Sequence, residues 1–195
     1  MDQNKLAQQT LEFELTIKIN KEKNTLFELG YISLDILQLV VLGELIEQEK
    51  TEKAEDIFLK KKPYGYFTRD SLFLREYKER AIIKELRKGS IILVISGISA
   101  TAAIINLIVQ HKVRKNTHKN ETIYFEVSSN DDRLNDLLES YDNGNYGKGG
   151  EGFKWLNKQL LQMGYSVRLK DKDAYIIEKV SEEYKNRIIK TIKKY

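Results

Sequence analysis

The sequence predicts an α+β protein, a small antiparallel sheet covered by a long packing helix, and three observations carry that prediction. Leu11, Phe13, Leu15, Ile17 and Ile19 alternate with polar residues from Glu12 to Asn20, the period-2 pattern of a half-buried strand. From Thr25 the period changes: Phe27, Leu34, Leu37, Val41 and Leu45 recur at spacings of seven, three and four, which predicts a helix to about Glu49. Ala81–Arg87 and Ile91–Ser96 then flank the short connection Lys88-Gly89-Ser90, as the two strands of a hairpin would.

The second strand of that hairpin opens the most apolar stretch of the chain. Ile91 to Val109 is nineteen residues without a charge, bracketed by Arg87 and Lys88 before and by His111, Lys112, Arg114 and Lys115 after. Two readings of this run differ in consequence. Its length matches the roughly 20 apolar residues that cross a bilayer, which would make the protein a single-pass, membrane-associated small effector or regulator with 91–109 as its span. Alternatively, Gly97 divides it into a β-branched strand and an Ala-containing helix from Ile98 to about Lys112, each suited to its composition. Ser96, Ser99, Thr101 and Asn106 interrupt the apolar surface, and the divided, buried reading is the expectation adopted.

Further elements follow in order. Thr122–Val127 reads as a short strand, and Ser129 or Asn130 can cap a helix whose first turn carries Asp131 and Asp132 against its positive end. The glycine-rich stretch DNGNYGKGGEG reads as a loop. After it the pattern predicts a helix (Phe153–Met163) ended by Gly164, a strand (Tyr165–Lys170), a polar turn at Asp171–Asp173, a second strand (Ala174–Val180) and a terminal helix from Ser181. The expected organisation is an N-terminal α+β layer over residues 1–97 and a basic C-terminal unit over 98–195.

This order of helix, strand, helix, helix and hairpin resembles the winged-helix fold. FKWLNKQLLQMGYSVRLKDKDAYIIEKV stands where its third helix and wing would be. The resemblance implies contact with double-stranded DNA: Lys154, Asn157, Lys158 and Gln162 would face a major groove, and Arg168, Lys170 and Lys172 would lie at phosphates. Winged-helix units also serve as protein-protein modules, so the resemblance also implies self-association or a protein partner, the reading placed ahead of DNA contact.

Charge points the same way. The net charge is +4, residues 1–97 are balanced, and residues 152–195 hold 11 basic against 5 acidic side chains. A basic end suits an anionic partner, and it also suits a plain Lys-rich solvated surface. Residues 60–77 interleave Lys60, Lys61, Lys62 and Arg69 with Tyr64, Tyr66 and Phe67. Such a cluster can bind single-stranded nucleic acid, or its rings can close over the edge of a core. The chain has no cysteine, which excludes disulfides and thiolate chemistry. Met1–Thr10 has no apolar signal region, so the expected location is cytoplasmic.

Catalytic motifs are not found. Gly147, Gly149 and Gly152 spell GxGxxG, but the preceding segment is helical rather than a strand, and Lys148 is followed by glycine rather than Ser or Thr. His111 and His118 lie in a basic segment with Glu121 as the one nearby carboxylate, and Asp131, Asp132 and Asp136 sit where helix starts collect acids. The expectation is therefore a non-catalytic binding protein with no cofactor and no metal, acting by nucleic-acid contact or by self- or partner association through its C-terminal unit.

Overall fold

The computed structural model describes residues 11–19, 26–61, 66–68, 71–79, 81–87, 90–116, 123–129, 132–144, 151–165 and 169–193. Its centre is a pair of helices that are buried on nearly every side. Helix α1 (Leu26–Glu47) buries Ile32, Ile36, every residue from Gln38 to Ile46, and also Asp35. Its partner, here called α4 (Ala100–Asn116), buries every residue from Thr101 to Gln110. A helix apolar all round is a core helix rather than a surface one. The two approach so closely that a Cβ added at Gly43 would lie 2.1 Å from the Ala102 Cα.

Between them in sequence lie α2 (Thr51–Glu55), which runs on into a π-helical turn at Asp56–Lys60, and α3 (Leu72–Tyr77). The α1–α2 corner is a Schellman turn: the Lys50 N–H donates to Leu45 O at 2.8 Å, the Glu49 N–H donates to Ile46 O at 2.9 Å, and Glu49 takes φ 57°. Three helices complete the body: α5 (Asp132–Asn143), α6 (Glu151–Gln162) and α7 (Asp171–Lys193). Helix α6 ends as its sequence predicts. The Tyr165 N–H reaches Leu160 O at 3.0 Å, the Gly164 N–H reaches Leu161 O at 3.1 Å, and Gly164 has φ +91°.

Four stretches of backbone are extended and pair antiparallel in the order β2-β3-β1-β4: Leu11–Ile19 (β1), Ala81–Arg87 (β2), Ser90–Ile98 (β3) and Ile123–Ser129 (β4). The side chains described as buried lie on helices or on turns that join helices. The described core is all-α. This overturns the expected α+β fold founded on an antiparallel sheet, because the core is built by helix-on-helix packing.

The C-terminal half departs furthest from expectation. The predicted second strand, Ala174–Val180, and the terminal helix are one helix, α7, which leaves the predicted wing without its second strand, while 166–168 of the predicted first strand lie outside the described residues. Asp171–Asp173 is not a turn between strands but the first turn of α7. The Asp173 carboxylate accepts the Lys170 N–H at 2.9 Å, the reciprocal half of a capping box. Ala174, Ile176, Ile177, Val180, Ser181, Tyr184 and Ile188 form its buried face, a helical period.

The apolar run is divided, at Ser99 rather than at Gly97. Ser99 caps α4, its hydroxyl accepting the Ala102 N–H at 3.2 Å, while its own N–H donates to the Glu44 carboxylate of α1 at 2.8 Å. Glu47 accepts from the Thr101 hydroxyl beside it. Among the described residues no helix is long and apolar enough to cross a membrane, which corrects the reading of 91–109 as a span. The division expected between residues 97 and 98 falls inside β3, and α1 packs against both α4 and α7.

Candidate functional site

The sequence-predicted binding residues start from α6. Phe153, Leu156 and Leu160 point into the core, with the Phe153 ring 5.6 Å from Tyr141 of α5. That anchors one face and leaves Lys154, Lys158, Leu161 and Gln162 exposed on a single stripe. Leu161 is 47% exposed, a large apolar side chain set among polar ones. Asn157 sits at the margin, half-buried, with its Oδ1 sealed from solvent.

The remaining predicted residues do not join this stripe. Lys170 turns to Glu49 at 3.5 Å, and Lys172 reaches Glu52 at 2.9 Å and Glu55 at 2.8 Å, both bracing α7 against the α1–α2 corner. These bonds raise the Lys172 ammonium above its ordinary range and hold the Glu52 and Glu55 carboxyls below theirs. Lys154 contacts Asp171 at 3.3 Å. Arg168 lies outside the described residues. The structure thus brings together Lys154, Lys158 and Gln162, and directs Lys170 and Lys172 to carboxylates of the chain itself.

Helix α5 completes the surface. Leu134, Leu137 and Leu138 are buried, while Asp136 and Glu139 are exposed on the opposite face. Two helices packed on each other therefore present outer faces of mixed charge: among the described residues the exposed charges are Arg133, Asp136 and Glu139 on α5, net acidic by one, and Glu151, Lys154 and Lys158 on α6, net basic by one.

The other candidates resolve as structure. Phe67 and Tyr77 are buried and Tyr66 is half-buried, with Phe67 and Phe73 in edge contact at 5.8 Å and Phe58 at 6.3 Å from Phe67. The rings of this region close a core edge, while Lys60 and Lys61 pair with Glu55 and Asp56 at 3.4 and 2.9 Å. Lys62, Tyr64 and Arg69 lie outside the described residues, as do Gly147, Gly149, His118, Glu121 and Asp131. Gly152 is buried within α6. Among the described residues no group of three His, Asp or Glu side chains could hold a metal.

Sequence reasoning missed a belt of buried polar contacts that joins α7 to α1 and α2. Arg187 Nη2 lies 2.5 Å from the Asp35 carboxylate, the Tyr184 hydroxyl donates to Gln38 at 2.5 Å, and the Thr51 hydroxyl donates to Asp173 at 2.6 Å. Asp35 and Gln38 are three apart on α1, and Tyr184 and Arg187 three apart on α7. That matched spacing was the available signal.

No family model, curated protein or solved structure matches the chain.

Proposed function

We propose that the protein is a non-catalytic binding protein that associates with a second copy of itself through the outer faces of α5 and α6. One observation carries this reading: exposed Leu161 lies in the same stripe as Lys154 and Lys158, beside a helix whose outer face holds Asp136 and Glu139. Opposite charges on adjacent helices are self-complementary under a two-fold axis, which sets α6 of one copy on α5 of the other. Burial of Leu161 supplies the apolar anchor, and Lys158 with Glu139 or Asp136 sets orientation.

Sedimentation equilibrium tests it. The intact protein is expected to dimerise, Leu161→Asp to weaken the dimer by at least about tenfold, and Lys158→Glu to weaken it less and in a salt-dependent way. Combining Lys158→Glu with Glu139→Lys restores association. A protein that stays monomeric throughout contradicts the reading.

Nucleic-acid contact is the second reading, favoured by Lys154, Lys158 and Gln162 sharing one exposed stripe. It expects duplex affinity that falls steeply with salt and is lost in a Lys154→Glu, Lys158→Glu double variant. The pairing of Lys170 and Lys172 with carboxylates of the chain itself engages two of its phosphate contacts, which is why self-association is preferred.

A further inference from the structure

We propose that one end of the molecule, where α1 begins and α4 and α7 finish, binds single-stranded nucleic acid, with phosphates on its cations and an unstacked base on Tyr31. This surface is separate from the α5–α6 faces and does not rest on them.

The direction of each helix follows from its contacts. The start of α4 lies at the end of α1, where Glu44 meets Ser99 and Gly43 approaches Ala102. The start of α7 lies there too, since Thr51 bonds Asp173, while Gln38 meets Tyr184 and Asp35 meets Arg187 nearer the start of α1. Both helices therefore run antiparallel to α1, and Lys112, 4.0 Å from Glu182, sets their later halves side by side. Strands β1 and β2 finish at the same end. Strand β1 leads into α1, and Lys18 and Arg87 both pair with Ser90 at the start of β3, which runs toward the start of α4.

Basic residues collect at that end. The final stretch of α4, 111–116, holds Lys112, Arg114 and Lys115 beside half-buried His111. The final stretch of α7, 185–193, holds Lys185, Arg187, Lys190 and Lys193, and neither stretch contains Asp or Glu. Lys18 and Arg87 add two more from the strand ends. The acids of the adjoining turns are Glu28 and Asp35 on α1 and Glu182 and Glu183 on α7. Asp35 takes Arg187, and Glu182 takes Lys185. Nine cations stand against four acids, an excess at least as large as the net +4 of the whole chain.

Helix dipoles do not account for that excess. Each helix C-terminus carries about half a negative charge, and the positive start of α1 offsets part of it. The opposite end differs: there Lys170 meets Glu49, Lys172 meets Glu52 and Glu55, Lys60 meets Glu55 and Lys61 meets Asp56. Those acids are engaged within the chain, which disfavours a second copy stacked head to tail on the basic end.

Tyr31 selects among anionic partners. Among the described residues it is the large apolar side chain exposed at this end, at 47%. It stands one turn before Asp35 on α1, and exposed Lys190 stands one turn beyond Arg187 on α7, so the Asp35–Arg187 contact brings both to one level. One ring gives too little apolar area to hold a lipid surface. A ring among cations is the pairing that receives a splayed base together with its phosphates.

Fluorescence anisotropy of a labelled oligothymidine of about 20 nucleotides, titrated with the intact protein, tests the proposal. Affinity is expected to fall with salt at a log–log slope of about −3, as about four phosphate contacts give. Lys190→Gln with Lys193→Gln is expected to lower affinity about tenfold and make the slope shallower by about 1.4. Tyr31→Ala is expected to lower affinity about fivefold without changing the slope. Lys154→Gln with Lys158→Gln, the same loss of charge on α6, is expected to stay within about twofold of the native protein. Absence of binding at low salt, equal losses from the two lysine pairs, or full affinity in Tyr31→Ala overturns the proposal. Tighter binding to a duplex of the same length, or binding to anionic vesicles in place of the strand, overturns it as well.

Discussion

Helix α1 meets two neighbours by opposite means. Against α4 it packs backbone to backbone, with Gly43 giving Ala102 its space and Glu44 bonding to the Ser99 N–H at the capped start of the helix. Against α7 it meets a polar belt, Asp35 to Arg187 and Gln38 to Tyr184, within an apolar surround. The first contact derives its strength from shape and tolerates no added volume. The second rests on a few polar pairs, among which the buried Gln38 Nε2 finds no hydrogen-bond partner, so it responds to pH and to the loss of either member. One helix thus supports a rigid joint on one side and a titratable joint on the other.

The most damaging way to break that contrast is to add one methyl group at the rigid joint. Gly43→Ala would place a Cβ against the Ala102 backbone, and backbone cannot move aside as a side chain tip can. The expected loss is about 3 kcal/mol of unfolding free energy, measured in urea.

Next in size is the pH response of the titratable joint. Because burial raises the folded-state value of Asp35, its contribution to stability is fully present below the ordinary 3.8 and is lost as pH rises through about 6. The native protein is therefore expected to lose on the order of 3 kcal/mol relative to Asp35→Asn between pH 4 and pH 7, read as diverging urea midpoints. Exposed Glu52 and half-buried Glu55 have the opposite sign: their contribution is present above the ordinary 4.5 and is lost in stronger acid, below that window.

A smaller effect is expected where the belt meets α2. Thr51→Val removes the hydroxyl bonded to Asp173 and leaves that buried carboxylate with the Lys170 N–H, for a cost of about 1 to 2 kcal/mol. Smallest of all, Lys172→Met removes solvent-exposed ion pairs to Glu52 and Glu55 and should leave the thermal midpoint almost unmoved. A large loss there would mean that the joint is held by surface charge rather than by its buried partners.

The legible parts of the sequence were those decided by a few neighbouring residues. Gly164 announced the end of α6, and Phe153, Leu156 and Leu160 announced its buried face. The apolar run was legible as two objects, although Ser99 rather than Gly97 marks the joint, because a hydroxyl able to cap α4 decides where the helix begins. The misreading of 174–180 has a local cause: Tyr175 and Ile177 alternate over too short a window to separate period 2 from period 3.6. Asp171 and Asp173 looked like a turn because acids favour turns and helix starts alike. The fold class failed because the core rests on contacts such as Gly43 with Ala102, which join residues far apart in sequence and leave no pattern in either segment. For the candidate site, the exposed α6 stripe was readable from spacing. The partners that occupy Lys170 and Lys172 were not, since Glu49, Glu52 and Glu55 come from the other half of the chain.

Native-state hydrogen exchange at pH 7 tests the contrast between the two joints most directly. Amides of Thr101–Gln110 in α4 are expected to open only with global unfolding, while those of 184–191 in α7 open at lower free energy and exchange faster. Equal protection in the two segments, or greater protection in α7, would contradict the account.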